Sequence, residues 1–283
     1  MLLNQQPISN ICEYTNLINS VLTEDSWFNA TSIPWFRGQD DFSWKLTPSI
    51  YRDGLYEFER EILRDFKLSS HIIIKKDFLG VDNEIEWIFL MQHYGLPTRL
   101  LDWTESSLIA LYFSVRNYKN TQDSVVWILD GWSLNEREET YDVFSIPDET
   151  SPIIEDYILP PSYTRERDIK AKYPIAIRAK KNNARILAQK GQFTIHGSLS
   201  IALDDLVKDL NKKTNYSPIY LKQIKISGIH KLDILKELYV SGISDSVVFP
   251  EIMGICDEIK FRHSSDFYSN SKLIRWTKGL IIP

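Results

Sequence analysis

Cysteine is scarce and long apolar runs are missing from this chain, and both absences bear on where the protein works. Its 283 residues include two cysteines, Cys12 and Cys256, near opposite ends and without metal-ligand spacing. We expect both to be buried thiols in a reducing compartment. No apolar run approaches the roughly 18 residues that span a bilayer, and the first residues lack the basic and apolar regions of a secretion signal. The sequence therefore predicts a soluble, cytoplasmic protein with no membrane partner.

Several catalytic signatures with fixed spacing are also missing. The chain has no glycine-rich phosphate loop ending in Lys-Ser or Lys-Thr, no Gly-x-Gly-x-x-Gly after a strand and no Gly-x-Ser-x-Gly elbow. Its five histidines are scattered, so no metal site is predicted. A net charge of −5 disfavours general binding to a nucleic-acid backbone. A nuclease or nucleic-acid binder is therefore the least favoured class of function.

The residues that are abundant describe a globular protein. Hydrophobic residues make up 43% of the chain and charged residues 25%, and the aromatic content of 12% favours a rigid core. Helical and strand patterns are mixed without regular β-α-β alternation. The predicted fold class is α+β, with a mixed or split β-sheet core and flanking helices.

The periodicity of apolar residues predicts the elements of that fold. Helices are predicted over residues 9–22, 56–74, 84–94, 107–117, 227–238 and 255–262. Strands are predicted from Trp35 onward and over residues 98–102, 125–129, 175–178, 192–196 and 220–226. Residues 131–170 are interpreted as a long connection with little regular structure.

The segment from Gln92 to Thr104 is the most informative stretch, because it places polar side chains among apolar ones. Such polar groups cost free energy unless each finds a partner or a ligand. Arg99 and Asp102 are three residues apart in an extended segment, so we expect them to face opposite sides. Arg99 is predicted to bind a phosphate or a sheet-edge carbonyl, and Asp102 to orient Arg37 or His93. The alternative is a salt-bridge network that holds a tight turn.

A second polar cluster lies upstream at Arg37, Gly38 and Gln39. A strand-borne arginine can place its planar fork on a phosphate, while the glycine lets a ligand approach the backbone. The alternative is a structural ion pair between Arg37 and an aspartate such as Asp40. His93, at a predicted helix C-terminus, is expected to stay protonated and to favour anion binding or a structural role.

A third cluster pairs Gln189 and Gln192 around Gly191. A glutamine amide can anchor a sugar hydroxyl but cannot act as a base. The alternative for this segment is a plain hairpin turn.

The order of these motifs resembles the FRG domain family, which is named for its Phe-Arg-Gly triplet, here Phe36-Arg37-Gly38. Gln92 to Thr104 and Ala110-Leu111-Tyr112-Phe113 carry the likeness onward, and Ala188–Thr194, Gly242-Ile243 and Phe249-Pro250 resemble the family's C-terminal part. The resemblance predicts one FRG-type α+β domain over residues 30–283, with a motif-rich part at 30–130 and a C-terminal part at 171–283, after a helical extension at 1–29. Family members resemble bacterial and phage proteins found near mobile elements, which implies anti-phage defence or a toxin role.

A more distant similarity to ADP-ribosyltransferases, which bind NAD in a split sheet, implies roles for several residues. Arg37-Gly38 would hold the first position of that site and the segment from Leu101 to Tyr112 the second. Gln189 or Gln192 stands near the third, where ADP-ribosyltransferases usually carry a glutamate that stabilises the oxocarbenium ion. In its place Asp102 or Glu105 would supply the acid, or the site binds a nucleotide without cleaving it.

Three hypotheses of function follow from these observations. The first is an enzyme that binds NAD or a related nucleotide and transfers or hydrolyses ADP-ribose, with a protein or nucleic acid as acceptor. The second is a non-catalytic sensor of a nucleotide or phosphorylated ligand, and the third is a nuclease. The predicted catalytic residues are Arg37, Asp102 and Gln189, and the predicted ligand-binding residues are Gly38, Gln39, His93, Thr98, Arg99, Trp103, Thr104 and Tyr112.

Overall fold

The fold is an α+β arrangement around one six-stranded antiparallel sheet, as seen in a computed structural model that describes residues 2–23, 33–77, 83–136, 146–159, 169–181, 183–213 and 218–268. The strands are β1 (Trp35–Gln39), β2 (Leu100–Thr104), β3 (Ser124–Leu129), β4 (Ile175–Ile177), β5 (Gly191–Ile195) and β6 (Leu221–Ile226). They run in the order β4-β5-β2-β1-β3-β6. The predicted α+β class is confirmed.

Helices cover the sheet on both sides. They are α1 (Ile11–Thr23), α2 (Ser49–Arg52), α3 (Glu59–Asp77), α4 (Glu84–His93), α5 (Ser107–Val115), α6 (Gly131–Asn135), α7 (Ala184–Gln189), α8 (Leu203–Leu210), α9 (Lys231–Val240), α10 (Asp245–Val248), α11 (Ile252–Arg262) and α12 (Ser265–Tyr268). Short 3₁₀ turns occupy Tyr56–Phe58, Pro152–Tyr157 and Gly228–His230.

Most predicted elements are present, with several differences. The sequence pattern assigned no helix to α8, whose four buried residues pack in the core. The alternative of a plain hairpin turn around Gly191 is wrong, because α7 precedes β5 and Lys190 ends that helix at φ 48°. The predicted long connection contains α6 and a 3₁₀ turn in its described part, and its residues 137–145 and 160–168 lie outside the described residues.

Three clusters of buried side chains hold the helices on the sheet. The first joins β1, β3 and β6 to α1, α5 and α9, and it includes Tyr14 and Ile18 of the N-terminal helix. The second lies around Trp35, Trp103 and Trp127 and takes in α8. The third joins β2, β4 and β5 to α4. The N-terminal helix therefore shares a core with the central strands.

The sheet is unevenly paired at its centre. β1 pairs with β3 through five residue pairs, whereas β1 and β2 share one pair, Phe36 with Thr104. β2 in turn pairs with β5 through five residue pairs. The ladder thus divides between β1 and β2, with two well-paired halves on either side of the division.

Gly38 allows α5 to lie directly on β1. A Cβ atom at this position would be 1.9 Å from the Ala110 carbonyl oxygen and 2.7 Å from the Ser114 amide nitrogen. Both contacts are with backbone, which cannot move aside as a side chain can. The glycine of the triplet is therefore required by the helix packed on the strand.

Both outer strands of the sheet are covered along their free edges. Beside β6, the Leu3 and Ile8 amides donate to the Gln223 and Lys225 carbonyls, and Ser227 donates to Ile8. Beside β4, the side-chain amide of Asn135 donates to the Ala176 carbonyl at 2.9 Å and accepts from the Ala176 amide at 2.8 Å.

A fully buried ion pair fixes the start of β2. Arg99 has no exposed surface and Glu59 is 3% exposed, and Arg99 Nε lies 2.8 Å from Glu59 Oε1. The guanidinium also donates to the backbone carbonyls of His196 and Tyr157. Burial, together with the Arg99 charge, lowers the pKa of His196 to about 3, so its ring is neutral.

The outcome for the cysteines differs from the sequence-based expectation. Cys12 and Cys256 are free thiols, but both are exposed. Each lies on a solvent-facing part of a helix, α1 or α11, and the spacing of these helices indicated amphipathicity without showing which side faces the sheet. Among the described residues, no helix is long and apolar enough to cross a membrane.

We expect Gly38→Ala to destabilise the protein by about 3 kcal/mol or more, the upper end for overpacking, because the new methyl group meets backbone atoms. Gly191→Ala is the matched control, since its Cβ would be 3.5 Å from the nearest atom. Urea unfolding of both variants measures the difference. Equal stabilities would contradict the packing assigned to Gly38.

Replacing Glu59 by glutamine should cost about 3–5 kcal/mol, because the Arg99 charge is then buried without its counter-ion. Asp205→Asn makes the same chemical change in an exposed pair with Lys45, and we expect it to cost less than about 1 kcal/mol. Chemical denaturation of the two variants compares them directly. A cost below 1 kcal/mol for Glu59→Gln would show that the pair is not a buried constraint.

Candidate functional site

A pocket of about 230 Å³ opens beside the division between β1 and β2. Its walls come from the strands β1, β2 and β5 and from the helices α4, α5 and α7. The residues that line it are Phe36, Arg37, Gly38, Phe89, Gln92, His93, Asp102, Trp103, Thr104, Phe113, Arg185, Ile186, Gln189, Gly191, Gln192 and Phe193. The three residues predicted to be catalytic, Arg37, Asp102 and Gln189, therefore meet at one cleft.

Arg37 bridges the divided sheet at the floor of this pocket. Its Nη1 donates to the Asp102 carbonyl oxygen at 2.7 Å and lies 3.7 Å from the Asp102 carboxylate. In an unbroken ladder this carbonyl would accept from a backbone amide of β1. Arg37 Nε is buried and has no hydrogen-bond partner among the described residues. One N–H donor of the guanidinium is therefore unsatisfied among the described residues.

The ion pair considered as the alternative role of Arg37 is present, but its partner is Asp102 and not Asp40. Asp40 instead accepts from the buried ammonium of Lys231 at 2.7 Å, and it also accepts from Asn117 and Asn120. These three partners engage both oxygens of its carboxylate.

Asp102 is held in place by a short relay of polar side chains. Gln92 Nε2 donates to Asp102 Oδ2 at 2.7 Å, and the Thr98 hydroxyl donates to Gln92 Oε1. The Asp102 side chain is 57% exposed, so its carboxylate reaches the open part of the pocket. Gln92, Thr98 and Arg37 together orient this carboxylate without burying it.

Arg185 is a second pocket cation that sequence reasoning missed. Its guanidinium lies 4.8 Å from the centre of the Phe249 ring, and Nη1 donates to the His93 carbonyl at 3.3 Å. Phe249 is also contacted by Arg116 at 4.5 Å. No local sequence signal marks Arg185, because the ring that positions it lies far along the chain.

The prediction of a protonated His93 is wrong. Burial lowers the pKa of His93, the nearby Arg185 charge lowers it further, and Glu251 only partly opposes them. His93 is therefore neutral at pH 7. Two guanidiniums, Arg37 and Arg185, and one carboxylate, Asp102, then give the lining a net charge of about +1.

Aromatic rings form the apolar walls of the pocket. Phe89 and Phe193 are stacked, with ring centres 4.9 Å apart and planes 18° from parallel. Phe36, Trp103 and Phe113 contribute further apolar surface. Trp103 also donates its indole N–H to Thr194 at 3.1 Å, which fixes the orientation of its ring.

Four of the predicted ligand-binding residues lie outside the pocket lining, because their polar groups are bound within the protein. Gln39 accepts from Trp127 at 2.7 Å, Thr98 binds Gln92, Arg99 pairs with Glu59, and Tyr112 donates to Asp245. The hydroxyls of Thr98 and Tyr112, the Gln39 amide and the Arg99 guanidinium are each hydrogen-bonded to another residue of the protein. Arg99 and Asp102 do face opposite environments, as their spacing in the strand predicts.

The glutamines and Thr104 also make internal contacts while lining the pocket. Gln189 Nε2 donates to the Val248 carbonyl at 3.1 Å. The backbone carbonyl of Gln189 accepts from the Thr104 hydroxyl at 2.6 Å. Gln192 Nε2 donates to Glu105 at 2.7 Å, and Gln192 Oε1 accepts from the Ala179 amide at 3.0 Å. These contacts fix the end of α7 against β2, and they place Glu105 next to Gln192.

The geometry supports binding of an anionic, partly aromatic ligand. Guanidiniums suit phosphate oxygens, stacked rings suit a planar heterocycle, and an oriented carboxylate accepts hydrogen bonds from hydroxyls. Within the part of the chain that the structure describes, no three His, Cys, Asp or Glu side chains are grouped to hold a metal ion.

Comparison with known proteins identifies the segment that contributes most of the residues lining this pocket. No curated protein matches the chain, and no solved structure matches it. The model of the FRG domain matches residues 32–123, a range that begins before β1 and ends at the start of β3. Arg37, His93 and Asp102 fall inside this range, whereas Arg185 and Gln189 follow it. The chain thus carries an FRG domain over residues 32–123.

Proposed function

We propose that this protein binds a phosphate-bearing nucleotide, with NAD as the expected ligand, in the pocket between β1 and β2. The observation that carries the proposal is the convergence of Arg37, Arg185 and Asp102 with aromatic walls in one cavity. Sites for nucleotides need these three kinds of group, because the ligand combines phosphate, sugar hydroxyls and a planar ring.

The phosphate would lie between the two guanidiniums. Arg37 keeps a free Nε donor, and Arg185 is oriented by Phe249 and by the His93 carbonyl. Arginine presents several N–H groups in a fixed plane, which matches the oxygens of a phosphate. Neutral His93 adds a hydrogen-bonding ring without adding charge.

The sugar and the ring would occupy the remaining surfaces. A ribose hydroxyl can donate to the exposed Asp102 carboxylate, which Gln92 holds from behind. The planar ring can pack on the stacked pair Phe89 and Phe193. At about 230 Å³ the cavity is smaller than the roughly 300–1,000 Å³ of pockets that enclose a drug-sized ligand, so a dinucleotide would place one half inside and the other at the mouth.

A second candidate function is cleavage of NAD, and the position of Asp102 favours it. When the bond between nicotinamide and ribose breaks, nicotinamide leaves with the bonding electrons, and the positive charge that develops on the ribose needs a nearby anion. Asp102 is the one carboxylate among the described lining residues. Water, or an acceptor group, then bonds to the ribose carbon and loses a proton.

The engagement of the glutamines favours binding without cleavage. Gln189 and Gln192 stand near the position where ADP-ribosyltransferases carry a glutamate, and their amides are bound to Val248 and Glu105. A neutral amide cannot stabilise a cation as a carboxylate does. Sensing of a nucleotide in a defence system is the function that remains if Asp102 does not act as the anion.

We expect Arg37→Gln and Arg185→Gln each to weaken nucleotide binding by about 10- to 100-fold, because each removes a charge-assisted hydrogen bond of about 1.5–3 kcal/mol. Isothermal titration with NAD, ADP-ribose, AMP and nicotinamide riboside measures this, since the last ligand has no phosphate. Arg64→Gln is the control, because Arg64 is 60% exposed and pairs with Asp65 outside the pocket.

Arg37 also bridges the sheet, so thermal unfolding of each variant must accompany the titration. Arg185 has no such role between strands, and thermal unfolding shows whether loss of its contacts with Phe249 and the His93 carbonyl affects the fold. Binding of nicotinamide riboside as tight as that of NAD, or equal affinities of Arg185→Gln and Arg64→Gln, would count against a phosphate site.

The two candidate functions differ in whether nicotinamide is released. If the protein cleaves NAD, Asp102→Asn should reduce release by a factor of a hundred or more while NAD still binds, because the amide keeps the shape but not the charge. Chromatography of NAD incubations measures nicotinamide, and Asp205→Asn on α8 is the remote control. Binding of NAD by the wild-type protein with no nicotinamide release would favour the sensor.

A further inference from the structure

The end of helix α10 contacts two pocket residues from behind. The Val248 carbonyl accepts from Gln189 Nε2 at 3.1 Å, and the Phe249 ring lies 4.8 Å from the Arg185 guanidinium. Gln189 and Arg185 both line the pocket, whereas Val248 and Phe249 are not among its described lining residues. These two residues therefore act on the pocket only through the side chains that they touch.

Arg185 is a cation without a counter-ion. It is partly buried, and it makes no ion pair with any residue that the structure describes. Its contacts are the Phe249 ring and the His93 carbonyl, which accepts from Nη1 at 3.3 Å. A partly buried charge is costly without compensation. An anion in the cavity would supply that compensation.

A second guanidinium on the same ring has the opposite environment. Arg116 lies 4.5 Å from the centre of the Phe249 ring. Its Nε is 3.3 Å from the Asp245 carboxylate, and its Nη2 is 3.4 Å from the Asp257 carboxylate. One cation on the ring is thus neutralised within the protein, and the other, Arg185, is left for a ligand.

The backbone that carries the ring is firmly held. Asp245, the first residue of α10, accepts from the hydroxyls of Tyr112 and Tyr239. A Cβ atom on Gly254 would lie 2.0 Å from the Phe249 carbonyl oxygen, so α11 is seated closely on this residue. Loss of the Phe249 ring should therefore remove the support of Arg185 without moving α10.

We propose that Phe249 is a positioning residue for phosphate recognition, in which its ring holds the Arg185 guanidinium in the pocket. The inference rests on the proposed function and places the phosphate on the α7 side of the cavity. A guanidinium packs well on an aromatic face. Fixing this flexible side chain before the ligand arrives lowers the entropy that binding must cost. Phe249 lies beyond residues 32–123, so the segment matched by the FRG model does not contain this support.

Binding measurements with and without phosphate test this role. Phe249→Leu should weaken the binding of NAD and of ADP-ribose by about three- to tenfold. It should leave the affinity for nicotinamide riboside unchanged, because that ligand has no phosphate. Phe249→Tyr keeps the ring face and should retain the wild-type affinities. Titration calorimetry of the full chain measures all four quantities.

Phe42→Leu is the matched control. The Phe42 ring also contacts a cation, Lys225 at 5.1 Å, and it lies outside the described pocket lining. The same chemical change should therefore leave every affinity as it is in the wild-type protein. Thermal unfolding of each variant verifies that the fold is kept.

Combining Phe249→Leu with Arg185→Gln separates positioning from a general loosening of the fold. With no guanidinium left to hold, loss of the ring should change NAD affinity less than about twofold. A general loosening would instead weaken binding equally in both backgrounds.

The placement of Arg185 can also be measured without any ligand. In protein with isotope-labelled arginine, the nuclear magnetic resonance signal of the Arg185 Nε–H group is the one missing from Arg185→Gln. The ring current of Phe249 should displace this signal in the wild-type protein. Phe249→Leu should move it toward the position of free arginine, whereas Phe249→Tyr should not.

Two results would overturn the inference. One is an Arg185 signal that Phe249→Leu leaves unchanged, because the ring would then not hold the guanidinium. The other is an equal loss of affinity for NAD and for nicotinamide riboside, because the ring would then not act through the phosphate. A wild-type protein that binds no nucleotide would instead overturn the proposed function, and the Arg185 signal would still decide whether Phe249 positions that side chain.

Discussion

The bond from Arg37 to the Asp102 carbonyl is the interaction on which the pocket depends. β1 and β2 share one residue pair, and beyond it a guanidinium takes the place of a backbone amide. A side chain that satisfies a backbone carbonyl lets the strands separate without leaving a buried polar group unpaired. The same arginine lines the cavity beside this division, and its buried Nε has no hydrogen-bond partner among the described residues. Arg37 therefore both stabilises the divided sheet and lines the candidate binding pocket.

The Phe-Arg-Gly triplet has a distinct physical role at each position. Phe36 packs into the core cluster with α5, Arg37 closes the divided ladder, and Gly38 gives α5 the room to lie on β1. The glycine was expected to admit a ligand, and it borders the pocket, but the atoms nearest to its missing side chain belong to the helix. The three neighbours thus couple the core, the sheet and the helix that follows β2. The segment from Gln92 to Thr104 contacts this triplet through the Asp102 carbonyl and through Thr104.

Features that depend on neighbouring residues could be predicted from the sequence, whereas features that depend on contacts between distant segments could not be derived from it. The apolar run of β3 and the opposite directions of Arg99 and Asp102 each depend on a few neighbouring residues, and both were predicted. The neutral state of His93, the pairing of Lys231 with Asp40 and the placement of Arg185 on Phe249 depend on segments that meet only in the folded chain. The convergence of Arg37, Asp102 and Gln189 was proposed from a family resemblance, which supplies the missing long-range information.

The covered edges of the sheet restrict how other molecules can be recognised. A free outer strand invites peptides and other chains to extend the ladder, which underlies both strand-addition binding and aggregation. Here residues 2–8 accompany β6, and Asn135 imitates a neighbouring strand beside Ala176. An extended peptide would first have to displace one of these covers. A tag or deletion that disturbs the first eight residues would uncover β6, and the resulting misassembly would be a property of the altered chain.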